Sequence, residues 1–398
     1  MPHQNKIAQG AFLLYCLLVV VFTVMVGWDT ARDTHPFLIG DWMINYEAGL
    51  VRRGMFGQLV FTLSMTFGFS PNFVILTIQL FCYLVLFYCV ARMFMGLDQP
   101  VHFLPLVMAP FFLAFQIHDE VAGFRKEILF LALIAYLSYI STQKNIREFK
   151  GPFISVLLVF PVFVLSHEML MLYSPYFLVL LLVQYPDARL KKYFLLPVVI
   201  AIILLLAAVA IATFYTGSAI EVFKICRSWG EHAPFRCTEQ GGIYWLKGTL
   251  ADSMGFVFQD ISSGQIKVNS ALCLLLVALP FVYLGPKVVK VFGKHKYVPI
   301  LIIMMLVGTV MLLIIARDWG RILYIHAAAT SLILLASVCR RDALNQTELG
   351  GLSAPQTIIY IPVPLVFLVA VFFSVSWRLP HWLGSDPFLN FFSRWLVA

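Results

Sequence analysis

The sequence predicts an all-α integral membrane protein of about eleven transmembrane helices, with one further helix lying on the membrane surface after the first span. Three observations predict this. Apolar residues make up 61% of the 398 positions and charged residues only 12%, against roughly 45–50% and about 25% in soluble domains. A soluble fold cannot hide so much apolar surface, because its buried fraction is limited by its surface-to-volume ratio. Finally, eleven apolar runs bounded by charges approach the roughly 17–25 residues that cross hydrocarbon about 30 Å thick. They fall near 9–28, 73–92, 101–117, 128–141, 152–166, 169–184, 194–215, 269–286, 298–316, 322–338 and 357–376.

The first run is long enough to remain as a span and carries Trp28 at its interface, so no cleavable signal peptide is expected. Residues 56–69 are short for a span and would break the parity of the connections if they crossed. They are therefore expected to lie on or dip into the outer face; the alternative is that they cross and that 101–117 or 128–141 does not. The runs 152–166 and 169–184 are parted only by a tight turn at Ser166, His167 and Glu168.

Basic residues set the sides, since short inner loops carry the excess Lys and Arg. The simple basic connections are Arg92, Lys144/Arg147/Lys150, Arg189/Lys191/Lys192, Lys287/Lys290/Lys294/Lys296 and Arg340/Arg341. With these inside, beside the Lys6 tail, the inner face carries 14 basic and 5 acidic residues and the outer face 14 and 15. The amino terminus is then inside and the carboxyl terminus outside. The net +8 of the chain belongs to the inner loops and describes insertion, so nucleic acid is not implied. Of seven cysteines, five lie in or at the ends of apolar runs, whereas Cys226 and Cys237 share the long external connection 216–268. An oxidising compartment favours a disulfide between them.

The remaining charges collect at the outer ends of the helices in four groups. The 29–54 connection holds Asp29, Arg32, Asp33, His35, Asp41, Tyr46, Glu47, Arg52 and Arg53. The second group runs His118-Asp119-Glu120 to Arg125-Lys126-Glu127, and the third is His167-Glu168. The fourth is Arg317-Asp318-Trp319-Gly320-Arg321, with His326 a turn further on. Ionisable groups at membrane depth are costly and face a partner or a water-filled cavity. Arginine forks bind phosphate bidentately, and a nearby carboxylate or His can take a proton from a hydroxyl. Together they suit transfer of a group from a lipid-linked diphosphate to an alcohol. Trp229, Phe235, Tyr244 and Trp245 in the outer connection, beside Arg227, Glu231, His232 and Arg236, offer faces for sugar rings. Taken singly, each of these residues also has an ordinary structural reading as a local ion pair, a helix cap or an interfacial aromatic. No phosphate loop, HExxH helix or CxxC pair is present. A divalent metal held by His118, Asp119, His167 and Glu168 is compatible with the residue types, but the spacing does not require one.

The stretch Gly40-Asp41-Trp42-Met43-Ile44-Asn45-Tyr46-Glu47-Ala48-Gly49-Leu50-Val51-Arg52-Arg53-Gly54 resembles the first external loop of GT-C-type membrane glycosyltransferases. With Arg125-Lys126-Glu127, His167-Glu168 and Asp318-Trp319-Gly320-Arg321, it also resembles Wzy-type O-antigen or capsule repeat-unit polymerases. The resemblance rests on some 25 residues of motif. It implies one GT-C-like polytopic domain, 1–398, in the bacterial inner membrane, with periplasmic loops at 29–72, carrying the surface helix, and at 216–268. It further implies transfer between undecaprenyl-diphosphate-linked oligosaccharides, with membrane lipids and a chain-length regulator as partners. Asp41 becomes the candidate base or acceptor-orienting carboxylate, with Glu168, Asp318 and Asp33 as further catalytic candidates. Arg52, Arg53, Arg125, Lys126, Arg317 and Arg321 would meet the diphosphate, supported by Tyr46, His118, His167 and His326. Two other readings stay open: a single-sugar transferase using a polyprenyl phosphate sugar, and a flippase or transporter of lipid-linked sugars.

Overall fold

The computed structural model describes residues 2–33, 35–185, 191–232, 237, 241–262, 265–293, 296–348 and 363–388. Arg189, Lys294, Phe235, Arg236 and residues 357–362 of the last apolar run lie outside the described residues, as do the side chains of Asp33, Lys191 and Lys192. Among the described residues all regular structure is helical.

Five helices are long and apolar enough to cross a membrane: Gln4–Arg32, Pro71–Met95, Phe194–Phe214, Val298–Ile315 and Trp319–Arg341. A sixth forms if Val268–Tyr283 and Gly285–Phe292, bent by 81° at their junction, count as one. Shorter apolar helices occupy Gly54–Phe67, Ile128–Gln143, Glu168–Gln184 and Pro364–Ser376. Leu195, Leu196, Ile203, Ile303, Met304 and Met311 point outward and are exposed, an apolar surface that only lipid or another protein would cover. The helix beginning at Trp319 instead runs through the middle of the bundle, with Ile325, Ala328, Leu332 and Leu335 fully buried.

Hydrogen bonds mark two ends of the bundle. At one end Asn5 Nδ2 donates to the Asp98 carbonyl at 2.6 Å, Gln9 Nε2 to Met95 at 3.1 Å, and Tyr185 Oη to Lys144 at 2.9 Å. Arg340 also reaches the carbonyls of Ser141 and Lys144 there. At the other end Asn72 Nδ2 donates to Ala31 at 2.6 Å, Arg52 N to Tyr215 at 2.8 Å, and Asn269 Nδ2 to Ser385 at 3.1 Å. Gly54–Phe67 starts beside Ser166, where Phe56 N donates to Ser166 Oγ at 3.1 Å. Four residues after it ends, Pro71 opens the next helix at Ala31. It therefore begins and ends at the same end.

Where a single helix was expected over 101–117, the chain makes a 3-10 turn at Pro100–Phe103 and short helices at Leu104–Val107, Phe115–His118 and Glu120–Gly123. Pro100, Pro105 and Pro110 recur every fifth residue, and proline lacks the donor and clashes with the preceding turn. Irregular backbone is tolerated at depth only when protein covers it, and Phe103, Val107, Phe111, Phe115 and Phe124 are buried. Side chains from neighbouring elements meet its free carbonyls: Tyr83 Oη donates to Gly123 at 2.5 Å, and Gln79 Nε2 and Trp42 Nε1 donate to Phe124 at 2.6 and 3.1 Å.

The connection after Phe214 folds back over the first one. Trp229 Nε1 donates to Met43 at 2.9 Å, Asn45 Nδ2 to Ser228 Oγ at 2.9 Å, and Gly242 N to Pro36 at 3.0 Å. Cys226 and Cys237 are joined in a disulfide, and the other five cysteines are buried thiols.

Candidate functional site

Charge concentrates at the end where the first connection, residues 118–127, the 166–168 turn, residues 317–321 and residues 378–382 meet. Arg53 is the hub. Its backbone is left-handed, at φ 66° and ψ 9°, the only such conformation among the described non-glycine residues. Left-handed backbone costs an L-residue roughly 1–2 kcal/mol, so the surroundings must hold it. Arg53 Nε lies 3.0 and 2.9 Å from the two Glu168 oxygens and Nη2 lies 2.5 Å from Oε1. Arg53 Nη1 also stands 3.7 Å from Asp41.

Asp41 is buried, with Lys126 Nζ 3.7 Å from its other oxygen. Neither carboxylate oxygen has a hydrogen-bond partner among the described residues. Burial alone would raise the Asp41 carboxyl, but Lys126, Arg125 and Arg53 together outweigh it and hold the group well below the usual range. Lys126 is itself fully buried and donates to the carbonyls of Arg53 and Ser166 at 3.1 and 3.0 Å. Burial brings Lys126 down to about 8 against the raising influence of Asp41.

A second set of pairs adjoins the first. Arg321 sits between Glu127 at 3.0 Å and Asp318 at 2.7 Å. The approach to Glu127 is not aligned as a hydrogen bond. His167 Nε2 is 3.5 Å from the same Glu127 oxygen, and burial brings this imidazole down to about 4. Arg125 is buried behind Phe37, donating to its carbonyl at 3.4 Å with the guanidinium 5.7 Å from the ring centre. No carboxylate among the described residues lies within 4.0 Å of it.

Beside this network opens a cleft of about 450 Å³, lined by Phe37, Trp245, Phe256, Arg317, Asp318, His381 and Trp382. Arg317 crosses its edge to Asp260, with contacts of 2.5 and 2.6 Å, and Trp382 Nε1 donates to the same carboxylate at 3.2 Å. His381 Nδ1 lies 2.9 and 2.8 Å from the two oxygens of buried Asp119, and the His381 backbone N–H donates to it at 2.8 Å. Burial would raise Asp119, and these bonds from His381 outweigh it, keeping the carboxyl below its ordinary range. Gly320 brings the two segments together: a Cβ there would lie 1.8 Å from the Pro380 carbonyl. Its N–H donates to the His381 carbonyl at 3.0 Å.

Among the residues singled out from sequence, Asp41, Arg53, Arg125, Lys126, His167, Glu168, Asp318 and Arg321 thus come together. Arg52 does not join them. Its Nη2 donates to the carbonyls of Trp245, Leu246 and Gly248 at 3.0 to 3.4 Å, so it fastens the outer connection to the first. Tyr46 packs its ring against Gly54, where a Cβ would clash at 2.2 Å. His326 is held within the bundle between Thr309 Oγ1 at 2.5 Å and Tyr176 Oη at 2.9 Å. His118 is buried with its carbonyl facing Arg378. Asp33 ends the first helix, and its side chain is outside the described residues. Among the described residues no group of three or more His, Cys, Asp or Glu is placed to hold a metal.

Glu127 and Asp119 carry a signal in the sequence only as members of Arg125-Lys126-Glu127 and His118-Asp119-Glu120, with no partner indicated. Asp260, Trp382 and His381 carry none. These three lie 57 to 262 residues from their partners.

The fold and the site define a helical protein with membrane-crossing segments and a charged, aromatic-walled cleft at one end. No family model matches the chain, and no match was found among curated proteins or solved structures.

Proposed function

We propose that the chain is a membrane glycosyltransferase that joins polyprenyl-diphosphate-linked oligosaccharide repeat units at the outer face of a bacterial inner membrane. The observation that carries this reading is the cleft. Four aromatic rings, a carboxylate, an arginine and a histidine share a space of about 450 Å³, within the roughly 300–1,000 Å³ of small-ligand sites. Flat apolar walls with a few convergent polar groups suit sugar rings.

The end-to-end passes of the chain are read as eleven crossings, with the basic connections inside. Gly54–Phe67 then lies along the outer face. The Cys226–Cys237 disulfide fits an oxidising compartment on the side of the cleft.

In the reaction an acceptor hydroxyl attacks the anomeric carbon of the donor glycan. A glycosidic C–O bond forms, the C–O bond to the diphosphate breaks with its electron pair leaving on the diphosphate, and the hydroxyl proton passes to a base in the cleft. Asp318, with 31% of its side chain exposed, is the carboxylate of the lining and orients the acceptor hydroxyl; Arg321 fixes it from behind. Asp41, 1% exposed, acts as a buried structural anion. Arg317 at the cleft edge and Arg125 behind Phe37 are the cations assigned to the diphosphate. Glu168 and Arg53 hold the connection that carries Phe37.

The test is a ladder of lipid-linked glycan from cells carrying single substitutions. Asp318→Asn and Trp245→Ala should collapse the ladder to single repeat units at normal protein level. Full-length ladders from both would contradict the reading. One added sugar instead of added repeats points to the single-sugar transferase, and donor retained on the inner leaflet of a deletion strain points to a transporter.

A further inference from the structure

We infer that His381 is the general base of the cleft and that Asp119 positions it. The inference rests on the glycosyl-transfer reading and deepens it by naming the proton acceptor.

An ionised carboxylate only accepts hydrogen bonds. His381 Nδ1 faces both Asp119 oxygens at 2.8 and 2.9 Å, so Nδ1 carries the ring proton. In the neutral imidazole Nε2 then holds a lone pair, on the ring edge away from Asp119. That edge belongs to the cleft: His381 is one of its lining residues, with 28% of its side chain exposed against 3% for Asp119. This is the logic by which a buried carboxylate fixes the tautomer of a catalytic imidazole and stabilises the imidazolium that forms.

The pair is held from several directions. Asp119 also accepts the His381 backbone N–H at 2.8 Å and caps the Glu120–Gly123 turn through Ala122 N at 3.1 Å. The His381 carbonyl receives the Gly320 N–H at 3.0 Å. Asp318, two residues before Gly320, lines the same cleft with Arg317 and Trp382. One tie thus sets the base and the acceptor-orienting carboxylate side by side.

The acceptor hydroxyl gives its proton to His381 Nε2 as its oxygen bonds to the anomeric carbon, the diphosphate departs with the electrons of the broken C–O bond, and the imidazolium returns the proton to water. His381 is the catalytic residue; Asp119 acts through it.

The experiment uses the full chain in membrane vesicles supplied with lipid-linked oligosaccharide extracted from membranes of the source cells. His381→Asn keeps an amide donor for Asp119 while removing Nε2. It should lower kcat about 100-fold or more, within the range of a lost general base, with KM changed less than about threefold. Asp119→Asn should lower kcat with KM changed less than about threefold, and Asp119→Glu, which keeps the carboxylate that fixes Nδ1–H, should restore part of the lost kcat. A merely structural Asp119 would move KM and protein yield along with kcat and would show no such rescue. Turnover by His381→Asn above about a tenth of the wild-type rate would overturn the base while leaving the glycosyl-transfer reading intact. A wild-type protein that forms no linkage would overturn that reading and the base with it. If His381→Asn yields no monodisperse protein, nitrogen NMR of the wild-type ring decides: an unprotonated Nε2 at neutral pH supports the assignment, and a protonated Nε2 beside a bare Nδ1 overturns it.

Discussion

Arg53 and Glu168 stand 115 residues apart in sequence, yet Arg53 Nε approaches both Glu168 oxygens at 3.0 and 2.9 Å and Nη2 approaches one at 2.5 Å. Arg53 does this from a left-handed backbone conformation. The clamp joins the first connection to the 166–168 turn, and two substitutions separate its parts. Arg53→Ala loses the charged hydrogen bonds, worth about 1–3 kcal/mol, and keeps the backbone strain. Arg53→Gly loses the same bonds but relieves the strain. In thermal unfolding of the detergent-solubilised protein, Arg53→Gly should therefore lie between wild type and Arg53→Ala, about 1 kcal/mol above the latter.

Asp41 and Lys126 are both buried, 3.7 Å apart. Removing one partner leaves the other as an uncompensated buried charge, at a cost of about 3–5 kcal/mol. Asp41→Asn should therefore sharply reduce the yield of folded protein. The double variant Asp41→Asn, Lys126→Met should recover most of the stability by removing both charges. Equal destabilisation of the single and double variants in chemical unfolding would contradict the pairing.

His167 gives the protein a dependence on acid. Its folded value of about 4 lies below the ordinary 6.5, because burial disfavours the charged ring. Between about pH 6.5 and 4 the unfolded chain binds a proton that the folded chain excludes, so stability falls as pH drops through that window. The full effect is about 3 kcal/mol. Melting temperatures measured across this range should decline more steeply for wild type than for His167→Gln, and the two curves should run parallel above pH 7.

Gly320 lets the start of its helix meet the chain at Pro380, where a Cβ would lie 1.8 Å from the carbonyl oxygen. Gly320→Ala must push residues 317–321 away from 380–382 and so open the cleft between Asp318 and His381. Glycan ladders from this variant should shorten as much as those of Asp318→Asn. Gly151→Ala, at a site with nothing within 4 Å of the added carbon, should leave them unchanged.

The membrane character was legible because it needs only composition and apolar run length. The charged end was legible for a related reason: Asp41, Arg53, Lys126, Glu168 and Arg321 are costly at such positions whatever surrounds them. Two things could not be read. The apolar count over 101–117 took no account of Pro105 and Pro110, which break the helix while leaving its hydrophobicity intact. The Asp119–His381 pair spans 262 residues; Asp119 sits in a charged group, but His381 follows the last apolar run among ordinary interfacial aromatics, and nothing local joins the two. Arg52 and Arg53 show the remaining ambiguity. They are identical neighbours, but the left-handed turn at Arg53 sends one to carboxylates and the other to the carbonyls of residues 245–248.

Transfer of glycans between lipid-linked carriers is read out by reconstituting the purified full-length chain in vesicles with lipid-linked oligosaccharide and following product mass. Products heavier by whole multiples of the repeat unit are expected, with release of polyprenyl diphosphate and loss of both on Asp318→Asn substitution. Oligosaccharide of unchanged mass, whether left in place or moved across the bilayer, would contradict glycan transfer.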